Sequence, residues 1–290
     1  MTTTSPPLVR VFHEKNLLPM GRPQPGVAHD PRDDGQGQIC KLINRELSGS
    51  EDISLSVVRV SPGDYHIKHY HPNGSQWYYF IEGSSIVHVD GANVQATAGS
   101  IVYVPPGVVH AIKNDTGQRA ELLAGISAPD YRDIGRVYVE PETDDPSPWV
   151  VVDEHPLLGR VSDEAFVRFV DTDPGGTNAV IDPRDQGSIV KLVTRRLMGS
   201  EDVSVSVARV YAGDYHLKHH HPYGSQAYYI LSGQCLAHID GQDLEVSPGT
   251  SIYLPPGTVH SINNTSEETL ELVSILSKPE YAEVGLVYDE

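Results

Sequence analysis

Apolar and polar residues alternate with a period of two along the stretch Ile53-Ser-Leu-Ser-Val-Val-Arg-Val60, which then runs apolar. That periodicity predicts a β-strand. Ile101-Val-Tyr-Val104 and Ser251-Ile-Tyr-Leu254 are short β-branched and aromatic runs, each closed by Pro-Pro-Gly. Similar short runs recur between Gly, Pro and Asn turns along most of the chain. A helical period is nearly absent, and Asp163 to Arg168 is the best short helical candidate. Many short strands with frequent turns predict an all-β chain built as sandwiches or barrels.

The pattern occurs twice. From Gly49 to Tyr79, 22 of 31 positions are identical to those 150 residues later. Upstream, Asp30-Pro-Arg-Asp33 matches Asp182-Pro-Arg-Asp185 with a shift of 152. Two units of this length are a duplicated domain rather than a solenoid. Each is long enough to bury a core of its own. Pro141, Pro146 and Pro148, among acidic residues, mark a linker between Glu140 and Pro148. The expected domains are therefore residues 1–143 and 144–290. Val167-Arg-Phe-Val170 resembles Val9-Arg-Val-Phe12, which predicts an opening strand for each unit.

Charge narrows the partners. The balance of 21 basic and 39 acidic residues, 21 − 39 = −18, repels phosphate backbones, so nucleic acid is not an expected partner. No apolar run approaches the ~20 residues that span a bilayer. The segment Met1 to Pro7 lacks the basic-then-apolar layout of a secretory signal. A soluble, cytoplasmic protein is the expectation. Cys40 and Cys235 occupy unrelated positions of the repeat, which predicts two ordinary thiols rather than a disulfide or a Cys-type zinc site. Neither a Gly-rich phosphate loop nor a Gly-x-Ser-x-Gly elbow is present, and no organic cofactor is expected.

Histidine supplies the candidate chemistry. His69 and His71 stand at i and i+2 on a predicted strand, so they share a face with Cα atoms ~7 Å apart. Pro72-Asn-Gly-Ser75 predicts a tight hairpin that brings Gln76 back beside them. Pro105-Pro-Gly107 predicts a second turn, after which His110 can reach the same centre. Asn114 is expected to secure a turn. The second copy supplies His219, His221, Gln226 and His260 at identical spacing. Three imidazoles and an amide oxygen per repeat are the expected ligands of one metal ion each.

These motifs carry a family resemblance. Gly63, His69, His71, Gln76 and Gly83, followed by Gly99, Pro105, Gly107, His110 and Asn114, resemble the two-part cupin signature, and so do their partners 150 residues on. The chain resembles a bicupin. The resemblance implies two tandem antiparallel β-barrels of jelly-roll type, with the metal inside each. One departure stands out: cupins commonly carry Glu where this chain has Gln76 and Gln226. Gln can ligate through its oxygen but is neutral. The ion then keeps its full charge and favours an anionic substrate, such as an enolate, a carboxylate or a 2-oxo acid. A glutamine outside the ligand set would leave a three-His site with more open positions.

Several other repeated residues invite a role. One of Tyr78-Tyr79, and one of Tyr228-Tyr229, faces inward by alternation. Tyr78 and Tyr228 are the weak catalytic candidates. His66 and His216 should point away from the paired histidines, and His220 outward. His88 and His238 have no predicted side. Arg59 and Arg209 read as surface ion pairs, with a carboxylate clamp as the alternative. Trp77 against Ala227 and Phe80 against Ile230 predict that the two pockets differ.

The expected function is that of a mononuclear metal-dependent enzyme acting on a small anionic enol or carbonyl substrate. A dioxygenase, in the manner of the quercetinase-like and gentisate-type cupins, is placed first. A non-redox isomerase, cyclase or lyase is the alternative, resembling the bacilysin-pathway bicupin isomerase and a cupin polyketide cyclase. A small-molecule-binding module is the third reading. Fe(II) is the first expected metal, one per domain, with Ni, Co, Mn, Cu and Zn as alternatives. A homodimer paired through strand edges is a further expectation.

Overall fold

The structure, a computed structural model, describes residues 8–21, 25–139 and 149–289. It divides into two compact units, His13–Arg160 and Val161–Glu290, the second also holding the N-terminal strand Val9–Val11. The expected boundary between 143 and 144, like the linker around it, lies outside the described residues.

In the N-terminal unit, a seven-stranded sheet runs in the order Leu158–Arg160, Ser100–Val104, Gln76–Glu82, Ala120–Ile126, Ser54–Val60, Gln38–Ile43 and Leu18–Pro19. A six-stranded sheet runs Val137–Tyr138, Tyr65–Tyr70, His110–Lys113, Ser84–Val89, Ala92–Thr97 and Val151–Val152. Pairing is antiparallel throughout, except where Val151–Val152 runs parallel to Ala92–Thr97. The C-terminal unit repeats the plan with sheets of seven and five strands. Each unit is an antiparallel β-barrel of jelly-roll type, and the described residues are mostly strand, as the periodicity predicts.

Helix is confined to single turns. Arg45–Ser48, Tyr131–Ile134 and Arg195–Met198 are each capped by a side chain at the preceding residue, Asn44, Asp130 and Thr194, which accepts from a backbone N–H of the turn. The helical candidate at Asp163 to Arg168 resolves into a 3₁₀ turn, Asp163–Ala165, followed by the strand Val167–Arg168. Among the described residues, no helix is long and apolar enough to cross a membrane.

Three local expectations need correction. Val9–Val11 does form a strand, but its counterpart is Leu158–Arg160, because each edges the equivalent strand of its sheet, Thr250–Leu254 and Ser100–Val104. Val167–Arg168 instead matches Leu18–Pro19. The likeness between Val167-Arg-Phe-Val170 and Val9-Arg-Val-Phe12 is too short to outweigh pairing register. Pro72 to Ser75 is not a hairpin turn: the strands on either side belong to different sheets. Neither Asn73 nor Gly74 takes the positive φ that a two-residue hairpin turn demands. Gly74 serves close packing instead, since a Cβ there would lie 2.3 Å from Ile134 Cγ2. The alternation in Ser54–Val60 also reads in an unexpected sense, because both faces are buried. In the second unit the polar members of the equivalent strand, Ser204 and Ser206, line a cavity.

Candidate metal centre

Each centre lies where the two sheets meet. His69 pairs in register with His110 on the neighbouring strand, and His219 with His260. His71 and His221 stand just past the ends of their strands, at the crossing to the other sheet. Gln76 and Gln226 begin the strands after those crossings. The turn at Pro105 to Gly107 is anchored to this corner by a 2.8 Å bond from the Gly107 N–H to the His71 carbonyl.

Backbone carbonyls set the orientation of every imidazole. The Nδ1 atoms of His69, His71 and His110 face the carbonyls of Ile67 at 2.8 Å, Gly135 at 2.5 Å and Val108 at 3.1 Å. In the second unit, His219, His221 and His260 face Leu217 at 2.8 Å, Gly285 at 2.6 Å and Thr258 at 2.8 Å. A carbonyl only accepts, so Nδ1 carries the proton and Nε2 keeps a free lone pair. Burial holds the rings neutral: His71 and His221 are pushed down to about 4 and His260 to about 3, with His69, His110 and His219 well below the ordinary value.

The lone pairs converge. Ligand-type nitrogens of His69, His71 and His110 all lie within 4.8 Å of one another, as do those of His219, His221 and His260. Gln76 Oε1 lies 3.1 Å from His71 Nε2 and 2.9 Å from His110 Nε2. Gln226 Oε1 repeats this at 3.1 Å from His221 and 2.8 Å from His260. These are contacts between acceptors, with no proton to place between them. The Nε2 atoms of His69 and His219 are buried with no hydrogen-bond partner among the described residues. Such orphaned acceptors cost stability unless a cation meets them. The residues therefore fit a divalent ion, and the two triads form one histidine-rich metal site per domain.

The glutamines are held from behind. Tyr78 donates to Gln76 Oε1 at 2.8 Å, and Gln76 Nε2 donates to Tyr131 Oη at 2.9 Å. Gln226 Nε2 donates instead to Ser274 Oγ at 3.1 Å. Burial pushes the Tyr78, Tyr228 and Tyr131 hydroxyls up, so these groups stay protonated. Asn114 is buried and donates to the Val60 and Gln118 carbonyls at 2.8 Å, securing its turn as expected.

His66 departs from expectation. It is buried, its ring 4.8 Å from that of His69. The cause is a β-bulge: His69 pairs with His110 but His66 pairs with Ile112, so three residues oppose two and the alternation shifts. His216 is brought inward in the same way. The Nδ1 of His66 lies 3.1 Å from Asp33 Oδ1, and that of His216 lies 2.5 Å from Asp185 Oδ1. Asp33 also accepts from the Ile67 N–H at 3.0 Å and the Tyr138 hydroxyl at 2.8 Å. Burial alone would raise its pKa, but the His66 interaction and these two bonds outweigh it and hold the carboxyl below the usual range. These Asp–His pairs were missed at the level of sequence. Their signal was present in the repeated Asp-Pro-Arg-Asp motif.

The remaining repeated residues lie elsewhere. Arg59 pairs with Glu121 and Glu14, and Arg209 with Glu271 and Asp163, as ion pairs. His88 bonds Asn93, His238 bonds Asp243 and His220 bonds Asp289, none of them at a centre. Cys40 and Cys235 are buried. Trp77 lies on the opposite face of its strand from Gln76 and Tyr78, so it does not shape the pocket.

The pockets do differ, for other reasons. In the second unit a cavity with about 790 Å³ of non-atom space, part of it open to solvent, is lined by Asp185, His216, Gln226, Tyr228, Ser274 and Tyr281 among others. In the first, Lys41, Asn44, Ser54, Ser56 and Tyr131 line a smaller hollow of about 200 Å³. Val58 stands where Ala208 does, and Ala124 where Ser274 does. Arg136, where the second unit has Leu286, adds a cation that lowers the basicity of His69, His71 and His110 beyond the effect of burial.

Comparison with known proteins places this geometry. The model of the cupin domain matches residues 56–126 and 206–276. Over 106 residues, 36% of this chain and 71% of the other, the sequence is 30% identical to the tetracenomycin polyketide synthase protein TcmJ of Streptomyces glaucescens. It is 36% identical over 64 residues, 22% of this chain and 19% of the other, to quercetin 2,3-dioxygenase of Bacillus subtilis. A solved structure of oxalate decarboxylase from Bacillus subtilis matches with a TM-score of 0.65, covering 98% of this chain and 79% of that one at 18% identity. At that identity the likeness is one of fold.

Proposed function

The chain belongs to the cupin family, with two cupin domains in one polypeptide, and from that premise we propose that it is a metal-dependent enzyme that moves a proton on a small anionic enol or carbonyl substrate, without net oxidation. His69, His71, His110 and Gln76 would hold the ion in the first domain, and His219, His221, His260 and Gln226 in the second. When bound, the ion supplies Lewis-acid polarisation of a carbonyl or enol oxygen. The donor set is neutral, so an anionic substrate provides the missing negative charge. Imidazole and amide donors suit Fe(II), Mn(II), Co(II) and Ni(II) alike, and a solved oxalate decarboxylase from Bacillus subtilis is described by its Mn(II) centres.

The observation that carries this reading is the Asp–His pair beside each centre. Asp185 orients His216 by accepting from its Nδ1, which turns Nε2 away from the carboxylate, and both residues line the same cavity as Gln226. An imidazole fixed by a carboxylate is a proton acceptor with a set direction. Tyr78, held protonated, is a donor that orients the Gln76 amide rather than a base. The relation to a polyketide synthase protein, over most of that protein's length, is in keeping with an enolisable carbonyl substrate. Dioxygenation is the second reading. It is favoured by the similarity to quercetin 2,3-dioxygenase, and it too would begin with an enol losing its proton.

Metal-loaded protein incubated without oxygen in D₂O with phenylpyruvate, an enolisable 2-oxo acid, should exchange hydrogen for deuterium at the carbon beside the carbonyl, as read by NMR. The double variant D33N/D185N should retain the metal and lose the exchange. Oxygen uptake coupled to loss of substrate would favour the second reading. Metal retention with neither exchange nor oxygen uptake, across a panel of enols and 2-oxo acids, would overturn both and leave a binding module.

A further inference from the structure

We propose that Arg136 makes the N-terminal centre selective for a carboxylate-bearing ligand, and that the C-terminal centre, with Leu286 at the same position, takes an enol or carbonyl ligand that carries no carboxylate. This rests on the metal-site reading above and assigns the two centres different substrate classes.

The guanidinium lies among the groups that ring the first centre. Its Cζ is 5.9 Å from the Tyr131 ring and 6.0 Å from the Tyr138 ring. Tyr131 packs 5.8 Å from the His71 ring and accepts from Gln76, and Tyr138 packs 6.0 Å from the His69 ring. Tyr138 pairs in register with His69 and Val137 with Tyr70, so one step back places Arg136 opposite His71. Arg136 Nη1 donates to Tyr138 Oη at 3.2 Å and lies 4.0 Å from Asp33 Oδ2. Its side chain is 14% exposed, and Nε is buried with no hydrogen-bond partner among the described residues.

A guanidinium offers five donors in a planar fork that suits a carboxylate. Keeping one this buried and incompletely bonded, beside a site built for a cation, is costly. Local structure does not require it. In the second unit Asp185 keeps its place with Leu286 nearby, and the Tyr288 hydroxyl accepts from the Asp182 backbone N–H at 2.9 Å instead of from an arginine. Bonding the buried aspartate and satisfying the tyrosine are thus both achieved without this cation. What Arg136 adds is a positive charge beside an already cationic centre, and a carboxylate is the ligand that meets both.

The test uses the full-length protein loaded with Co(II), whose visible absorption reports each centre, in the H219A/H221A background that leaves the first centre alone. Pyruvate and its neutral counterpart pyruvamide are the probes, titrated by calorimetry and by the Co(II) spectrum. Pyruvate should bind at least tenfold more tightly than pyruvamide. R136L should abolish that preference with Co(II) content and melting temperature unchanged, and R136K should restore most of it. In the complementary H69A/H71A background, L286R should create a preference for pyruvate. The proposal is overturned if R136L binds pyruvate as tightly as its parent, or if R136L and R136K lose both probes together with Co(II), which is the mark of a structural role. Failure of the unsubstituted protein to bind Co(II) would instead remove the metal-site reading itself.

Discussion

The two barrels present the same three imidazoles and the same glutamine, and surround them differently. Everything that aims the donors is duplicated: the bulge before His69 and His219, the backbone carbonyls behind each Nδ1, and the carboxylate behind His66 and His216. What differs is the layer around them. The first unit adds Arg136 and fastens Gln76 through Tyr131. The second has Leu286 and fastens Gln226 through Ser274. The lesson is that a duplicated centre is kept by main-chain geometry, whereas its ligand preference is free to diverge through single side chains on the wall.

The sharpest way to break that comparison is to remove one centre at a time. H69A/H71A and H219A/H221A should each lose one of two metal equivalents by elemental analysis, with the other retained. Loss of both equivalents from either variant would mean that the centres are not independent. Activity should fall unequally between the two variants, because the walls differ. Equal halves would say that the wall residues do not matter.

How much of this was legible beforehand follows the physics of each feature. The strands and the converging histidine triads could be read, because a period of two and fixed motif spacings survive in one dimension. Gly63 to Gly83 and Gly99 to Asn114 delimit the site without any structure. The inward turn of His66 was not legible. Alternation places it opposite His69, and only the register shift between His110 and Ile112 reveals the extra residue. Arg136 was missed for a related reason. It lies outside both halves of the motif and has no arginine partner in the repeat, so a search for repeated residues passes over it. The hairpin expected at Pro72 to Ser75 failed because Asn-Gly signals a turn but not which sheet the chain enters next.

Acid should expose the cost of the buried imidazoles. In the unfolded chain each titrates near 6.5, whereas burial holds His71 and His221 at about 4 and His260 at about 3. Between those values the unfolded chain binds more protons than the folded one, so stability rises with pH there and is lost as pH falls from about 6.5 toward 4. Metal-free protein, unfolded with urea in the presence of a chelator at a series of pH values, should show its midpoint dropping through that window. Loading with metal should raise the midpoint at neutral pH and steepen the acid loss, since a coordinated nitrogen cannot also take a proton. A midpoint that stays flat from pH 7 to 4.5 would refute the burial and neutrality of these rings.

The smallest expected effect concerns the packing partner of Trp77, and it separates a difference in wall chemistry from one in packing. Trp77 lies directly across the strand pair from Gly125, and a Cβ on Gly125 would fall 2.1 Å from the indole Cζ2. The second unit has Ala227 and Ile275 at these positions, also paired in register. Bulk has moved from one strand to the other, so each pair is complementary and neither residue is free to change alone. G125A should therefore destabilise the protein by about 1–3 kcal/mol through overpacking. W77A alone should cost more, since it empties the site of a fully buried indole, but the double variant should lose less than the sum of the two, because the added methyl then has room. The two changes should be non-additive in a double-mutant cycle read by thermal unfolding. Since Trp77 faces away from Gln76 and Tyr78, both variants should keep two metal equivalents and unaltered preferences between pyruvate and pyruvamide. Altered ligand preference in G125A would place the tryptophan within the pocket wall after all, and strict additivity would deny the complementary packing.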